Sequence, residues 1–429
     1  MTHAFSSTAL ALVGDVVFGT GSFWQSPQGG VVVVLRDAPI RLFAVPYRLS
    51  SRPKNYEWGA RGALSQFLGL DASSKPEAEV WFGDHPLSEC SVETLDGPEN
   101  FSVWLRESGE EFPLLVKVLA AEKPLSIQVH PSEEQALRGF FREEAAGIPL
   151  GAADRTYKDQ SAKPELLIAL SDDFVAMVGF APEARVLDRL DRWVDEGAPP
   201  ALQKLFGPVA GIPKESSRRI VTADEGLAQL VDELGEWISS WSSLDLSNDE
   251  MRDRELLRSI HRAHPRDPGI LFTLVMNHFV LRRGEAVFVD AGQVHAYLGG
   301  MGLEVMLPSD NVIRAGLTNK HKDHEALMEL AVFDTEDDPS PLVPTIDGSV
   351  AMYRDFGASF SVTVITAGAG EMTVGTPSVC VVERGVVDIV SSAGSLRAGS
   401  GEVVFSLPTE TLRPVSDDVV VWVVQTDSV

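Results

Sequence analysis

Hydrophobic and polar positions alternate strictly over 124–131: Leu125, Ile127 and Val129 fall on one side, Ser126, Gln128 and His130 on the other. A period of two predicts a half-buried strand whose polar face carries two metal-capable side chains. Short apolar runs punctuated by Pro and Gly extend this β-character over 40–170. Between 171 and 270 the period changes. Leu187, Leu190 and Val194 recur at helical spacing, as do Leu227, Leu230, Val231, Leu234, Trp237 and Ile238. Pro199-Pro200 and Gly211 break these helices, and 270–280 returns the chain to strand. From 340 onward strands resume, with Phe360, Val362 and Val364 alternating and 379–390 rich in β-branched residues. Residues 1–38 fit neither period. They are small, apolar and Gly-rich, with Asp15 the sole charged residue before Arg36, and read as an N-terminal extension or a mis-called start.

Two further donors join Gln128 and His130. His295 follows a short apolar run, Ala286-Val287-Phe288-Val289, and a turn; Gly284 and Gly292 permit the sharp corners a small β-barrel needs. Glu165 opens the run Leu166-Leu167-Ile168-Ala169-Leu170, and Pro164 restricts its direction relative to Lys163. Gln128, His130, Glu165 and His295 offer two nitrogens and two oxygens. That set suits a borderline divalent ion, zinc first, one per chain, with room for water or substrate. His85, His261, His264, His278 and His321 show no ligand spacing and read as structural or solvated. Trp58 and Trp81 read as core.

Charge narrows the partners. There are 36 basic against 62 acidic residues, a net charge of −26, which repels nucleic acid and anionic membranes. An anionic ligand must then be met by locally concentrated cations, and Arg314 and Lys320 form such a pair in a stretch poor in acids. The two cysteines, Cys90 and Cys380, lie far apart and read as buried thiols in a reducing compartment. No apolar run approaches the roughly 18 residues of a membrane span. The first basic residue comes too late for a secretory n-region. The expectation is a cytoplasmic protein.

Several motifs fall in one collinear order. They are Asn55-Tyr56-Glu57-Trp58-Gly59, Glu79-Val80-Trp81-Phe82-Gly83-Asp84-His85-Pro86, the stretch from Lys117 to His130, Lys163-Pro164-Glu165, the Gly292-to-Tyr297 turn, and Ser309-Asp310-Asn311-Val312-Ile313-Arg314-Ala315-Gly316-Leu317-Thr318-Asn319-Lys320. In this the chain resembles the type I phosphomannose isomerases over residues 40–429. The resemblance implies a mainly β protein: two cupin-type jelly-roll barrels with an α-helical insert domain. The expected division is 39–170 with 271–335 as the catalytic domain, 171–270 as the insert and 336–429 as a metal-free second barrel. Gly401-Glu402-Val403-Val404-Phe405-Ser406 repeats the form of Gly284-Glu285-Ala286-Val287-Phe288-Val289, yet Leu412 stands where the first copy has His295. One metal site is therefore expected, in the first barrel.

The implied activity is interconversion of mannose 6-phosphate and fructose 6-phosphate by a monomer. The implied roles are Arg314 for the enediolate or substrate, Ser126 and Lys320 for the phosphate, Glu304 for the base, and Lys117, Lys163 and Asp310 for relay or positioning. Two positions depart from the family pattern. Ala162 stands where bacterial relatives often have a histidine before Lys-Pro-Glu, so a proton role there must pass to Lys163, Glu304 or water. Asp290 replaces a proline at the corner before His295, where an Asx turn preserves the bend. The alternatives are a non-catalytic sugar-phosphate-binding cupin and a metal-dependent cupin oxygenase. Intact Arg314 and four ligands disfavour the first. The donor set disfavours the second.

Overall fold

The computed structural model describes residues 46–427, apart from 72, 207–211, 223–224, 242–247, 335–339 and 393. The expectation for residues 1–38 lies outside the described residues. The chain is mainly β. One sheet runs Met276–Leu281, Phe174–Phe180, His295–Met306, Leu115–Ala121, Glu79–Gly83. Ile127–Val129 and Ile313–Gly316 attach beside His295, and Glu165–Ala169 and Ala286–Val289 attach along the far half of the His295–Met306 strand. All seven residues of Leu115–Ala121 are buried. A strand covered on both faces reads as a continuous apolar run, and Lys117 alone interrupts this one.

The second large sheet is built around C-terminal residues. Its order is Gly97–Asn100, Ser91–Thr94, Tyr47–Ser50, Val403–Ser406, Ser378–Arg384, Val420–Thr426, Phe360–Thr366, Val350–Tyr353, Thr345–Asp347. Three strands of the expected first domain therefore pair into the C-terminal sheet, Tyr47 lying opposite Phe405. The division drawn from sequence assigned 39–170 wholly to the first barrel, because local pattern carries no information about which distant edge a strand will join. Side chains from both sheets share one core, with Val80, Val116, Leu166 and Val305 meeting Val381, Val403, Phe405 and Trp422. Burial between facing sheets is what holds the two together.

Between the strands ending at Phe180 and beginning at Met276 lie the helices Glu183–Asp195, Ala201–Phe206, Ile212–Thr222, Glu225–Ser240 and Asn248–Ala263. Their periodic residues face inward: Leu190, Leu227, Leu230, Val231, Leu234, Trp237 and Ile238 are buried in a cluster that also contains Ile127 and Val129. The apolar side of the short strand thus rests on the helices, and its polar side is free for chemistry. Leu125 departs from the predicted alternation. The strand begins only at Ile127, and Leu125, ahead of it, donates its backbone N–H to the Tyr297 carbonyl (2.9 Å) and lines the cavity described next. No helix among the described residues is long and apolar enough to cross a membrane.

Candidate active site

Register builds the site. Gln128 pairs with His295 on one flank and with Arg314 on the other, so three side chains from three strands stand abreast on one face. A second row sets Trp81, Lys117, Glu304 and Leu167 side by side. Both rows open on a cavity of about 570 Å³, which Gln128, Lys163, Glu165, Tyr297, Asp310 and Lys320 also line. A lobe of about 430 Å³ adjoins it across Gln128 and Arg314, with Ser126 and Lys320 in its wall.

His130, Glu165 and His295 are each 0% exposed. One ligand atom from each lies within 4.8 Å of the other two, close enough for the three donors to converge on one cation. His130 Nδ1 faces the Asn311 carbonyl at 2.7 Å and His295 Nδ1 faces the Gln293 carbonyl at 3.0 Å. Each carbonyl accepts the ring's proton and leaves the Nε2 lone pair pointing inward. His130 Nε2 is buried with no hydrogen-bond partner, and it lies 3.2 Å from Glu165 Oε1; His295 Nε2 lies 3.6 Å from Glu165 Oε2. Gln128 Nε2 sits 3.3 Å from His295 Nε2, and turning the amide over presents its oxygen to the same point. A buried unpaired nitrogen among these donors is the signature of a metal position.

The electrostatics agree. Burial pushes His295 down to about 4 and, with Lys163, holds His130 below its usual value, so both rings are neutral donors. Burial alone would raise the Glu165 carboxyl, but Lys163 at 2.6 Å opposes it and keeps it well below the carboxylate range. Tyr297 Oη donates to Glu165 Oε2 at 3.0 Å. Lys117 reaches Glu304 at 2.9 Å and Glu79 at 3.8 Å. These carboxylates overcome its burial and hold it charged. Burial in turn raises the Glu304 carboxyl against the pull of Lys117. Arg314 is half-buried, and burial lowers its pKa with no carboxylate among the described residues to offset the cost. Burial and then Arg314 lower Lys320 likewise. Two cations that line the same cavity and lobe make a place suited to an anion.

Gln128, Glu165, Lys117, Lys163, Glu304, Asp310, Arg314 and Lys320 line one cavity, with Ser126 in the adjoining lobe; His130 and His295 are fully buried against Glu165, and His295 also against Gln128. Trp58 and Trp81, read as core, line it too. His85, read as structural or solvated, is 3% exposed and faces Asp310 across 3.6 Å. None of the three locations was legible, because the facing of each depends on which distant strand or loop it meets. Tyr297 did carry a signal: it lies two residues past His295 on one strand and so shares its face. Asn311 was missed because its contact with His130 is made by its carbonyl. Its buried side chain is held by the backbone N–H groups of Lys158 and Asp159 and by the Asp159 and Ser161 carbonyls.

Comparisons with known proteins bear on this geometry directly. Residues 47–183 match the family model for the catalytic domain of phosphomannose isomerase type I. The mannose-6-phosphate isomerase of Escherichia coli (strain K12) is 36% identical over 306 residues, covering 67% of this chain and 75% of that protein. The Homo sapiens mannose-6-phosphate isomerase is 30% identical over 318 residues, covering 66% and 72% respectively. Among solved structures, a zinc-bound mannose 6-phosphate isomerase superposes with a TM-score of 0.78 at 28% identity, covering 90% of this chain and all of that one. Collinear motifs, a shared fold and this level of identity place the chain in the type I phosphomannose isomerase family.

Proposed function

We propose that this protein interconverts D-mannose 6-phosphate and D-fructose 6-phosphate as a zinc-dependent aldose–ketose isomerase. The observation that carries the reading is the buried His130–Glu165–His295 cluster, whose Glu165 lines one cavity together with the cations Arg314 and Lys320. Gln128, His130, Glu165 and His295 would hold the zinc. Bound there, it supplies positive charge beside the substrate's carbonyl and neighbouring hydroxyl, where enediolate charge develops. The residues do the rest. Arg314, Lys320 and Ser126 take the phosphate end and orient the opened sugar. Glu304, its pKa lifted by burial, takes the C2 proton and returns it at C1, while Lys117 steadies it. Lys163 keeps Glu165 ionised.

The finer architecture belongs to the same proposal. Two cupin-type barrels, one bearing the metal, with the helices of 183–263 as an insert, explain why Gly284 and Gly401 turn equivalent corners, each with φ of 82°. In the second barrel Leu412 is fully buried, filling with carbon the place of a ligand. A cytoplasmic monomer fits the acidic balance and the two free, buried thiols.

An assay coupling fructose 6-phosphate formation to a reporter enzyme tests the reading. Zinc-loaded protein turns over mannose 6-phosphate, and chelation abolishes turnover. Binding without turnover would sink it. The base is tested separately: Glu304→Gln keeps the shape and removes basicity, so kcat falls roughly 10²–10⁴-fold with little change in KM. Near-normal turnover in that variant moves the base elsewhere.

A further inference from the structure

Among the half-buried or buried carboxylates of the cavity, three are already engaged. Glu79 and Glu304 face Lys117, and Glu165 faces two histidines and Lys163. Asp310 is different. Its backbone N–H donates to Asp159 Oδ2 at 2.8 Å, which anchors the loop, while its side chain is 40% exposed and looks into the cavity. Among the described residues, His85 is the one group within ion-pair reach of that carboxylate, with Nε2 at 3.6 Å from Oδ1. An acid beside a phosphate-binding cavity opposes the ligand's charge and needs a compensating use.

His85 is built to serve Asp310 in one way only. The Leu87 N–H donates to its Nδ1 at 3.1 Å, so the neutral ring must carry its proton on Nε2, the atom turned toward Asp310. The ring also stands edge-on to Trp81, with centroids 5.1 Å apart and planes at 87°. Trp81 is itself covered by Lys54 and Lys117. Ring plane and tautomer are thus both fixed. Accepting a second proton would break the Leu87 bond, so His85 is a donor and not a shuttle.

We propose that His85 is a positioning residue for the isomerisation: its Nε2–H aims the Asp310 carboxylate, which exchanges a hydroxyl proton with the sugar. This rests on the isomerase reading. Converting an aldose to a ketose relocates two protons, one from C2 to C1 and one from O2 to O1. Glu304 is assigned the first. Asp310 takes the second from O2 as the new carbonyl forms and returns it to O1, so the carboxylate ends the cycle as it began. The gap of 3.6 Å is longer than a hydrogen bond, and such contacts tighten when substrate fills the cavity.

The contact with His85, foremost, holds the Asp310 carboxyl below its usual range, with Lys163 and Lys158 adding to it against partial burial. Tyr56 also faces Asp310, and Asp159 holds its backbone. Losing His85 therefore raises the pKa of a base that works ionised, and the acid limb of kcat moves to higher pH.

The test compares wild type, His85→Phe, His85→Gln, Asp310→Asn and the His85→Phe/Asp310→Asn double variant, each zinc-loaded, with mannose 6-phosphate over pH 5–9. His85→Phe keeps the ring against Trp81 and removes the donor. It should lower kcat about tenfold, leave KM within about twofold and shift the acid limb upward. His85→Gln restores an N–H and recovers most of kcat. The double variant is no slower than Asp310→Asn, since the two act as one unit. An unchanged His85→Phe profile overturns the proposal, as does a loss that multiplies with that of Asp310→Asn. If His85→Phe loses zinc or melts early, His85→Gln decides: a loss as deep as that of Asp310→Asn overturns it. Absence of turnover in the wild type would instead overturn the isomerase reading.

Discussion

His295→Ala protein should purify with close to no zinc where the wild type carries about one ion per chain, and its turnover should fall at least ~10²-fold. His295 supplies one of three fully buried donors, and Gln128 reaches the cluster through its contact with the same ring. Removing the imidazole leaves a small cavity, with His130 Nε2 still unpaired and Glu165 held by Lys163 and Tyr297. The charge a bound metal brings to a developing oxyanion is worth several kcal/mol, and each 1.4 kcal/mol is about a tenfold change in rate. Elemental analysis and a coupled assay on the same preparation decide the matter. Full zinc content in the variant would show that the ligand set has been assigned wrongly, whatever happens to the rate.

Arg314→Lys should lose at least ~10²-fold in kcat while its circular dichroism spectrum and thermal midpoint stay close to wild type. The substitution keeps the charge and removes the fork, so it isolates geometry from electrostatics. Folding is spared because Arg314 makes no ion pair with a carboxylate among the described residues, and burial lowers its pKa without opposition. Its place abreast of Gln128 puts it where a planar two-point contact can span a substrate whose other end lies at the metal. A fully active, normally folded lysine variant would remove Arg314 from the chemistry and leave Lys320 and Ser126 as the anchors to test.

How far the sequence alone reached can be judged from particular residues. The alternation at Ser126, Gln128 and His130 was readable because a strand's period is local, and so were the helix faces of Leu230, Leu234 and Trp237. Glu165 and His295 were readable as donors by type and by the turns beside them. Leu125 misled, since alternation on paper does not reveal where pairing with the next strand begins. His85 was invisible for a related reason: its value comes from Asp310, a residue whose proximity depends on two loops meeting. The pairing of Tyr47 with Phe405 could not be read at all, because hydrogen-bonded neighbours in a sheet need share nothing in sequence.

That last pairing governs how the chain can be made. On the ribosome, Tyr47–Ser50 and the hairpin formed by Ser91–Thr94 and Gly97–Asn100 emerge long before Val403–Ser406 exists to receive them. Until synthesis is nearly finished these early strands present an open edge, and the first sheet lacks the apolar layer that Val403, Phe405 and Trp422 bring to it. A nascent chain in this condition exposes both unpaired backbone and hydrophobic surface, the two features that recruit holding chaperones and invite aggregation. Translation that stops short of the last strands should yield not a working catalytic region with a missing appendage but a sticky, protease-sensitive product. Slowing the ribosome near the end of the message lengthens that exposed interval without changing a single residue of the finished protein.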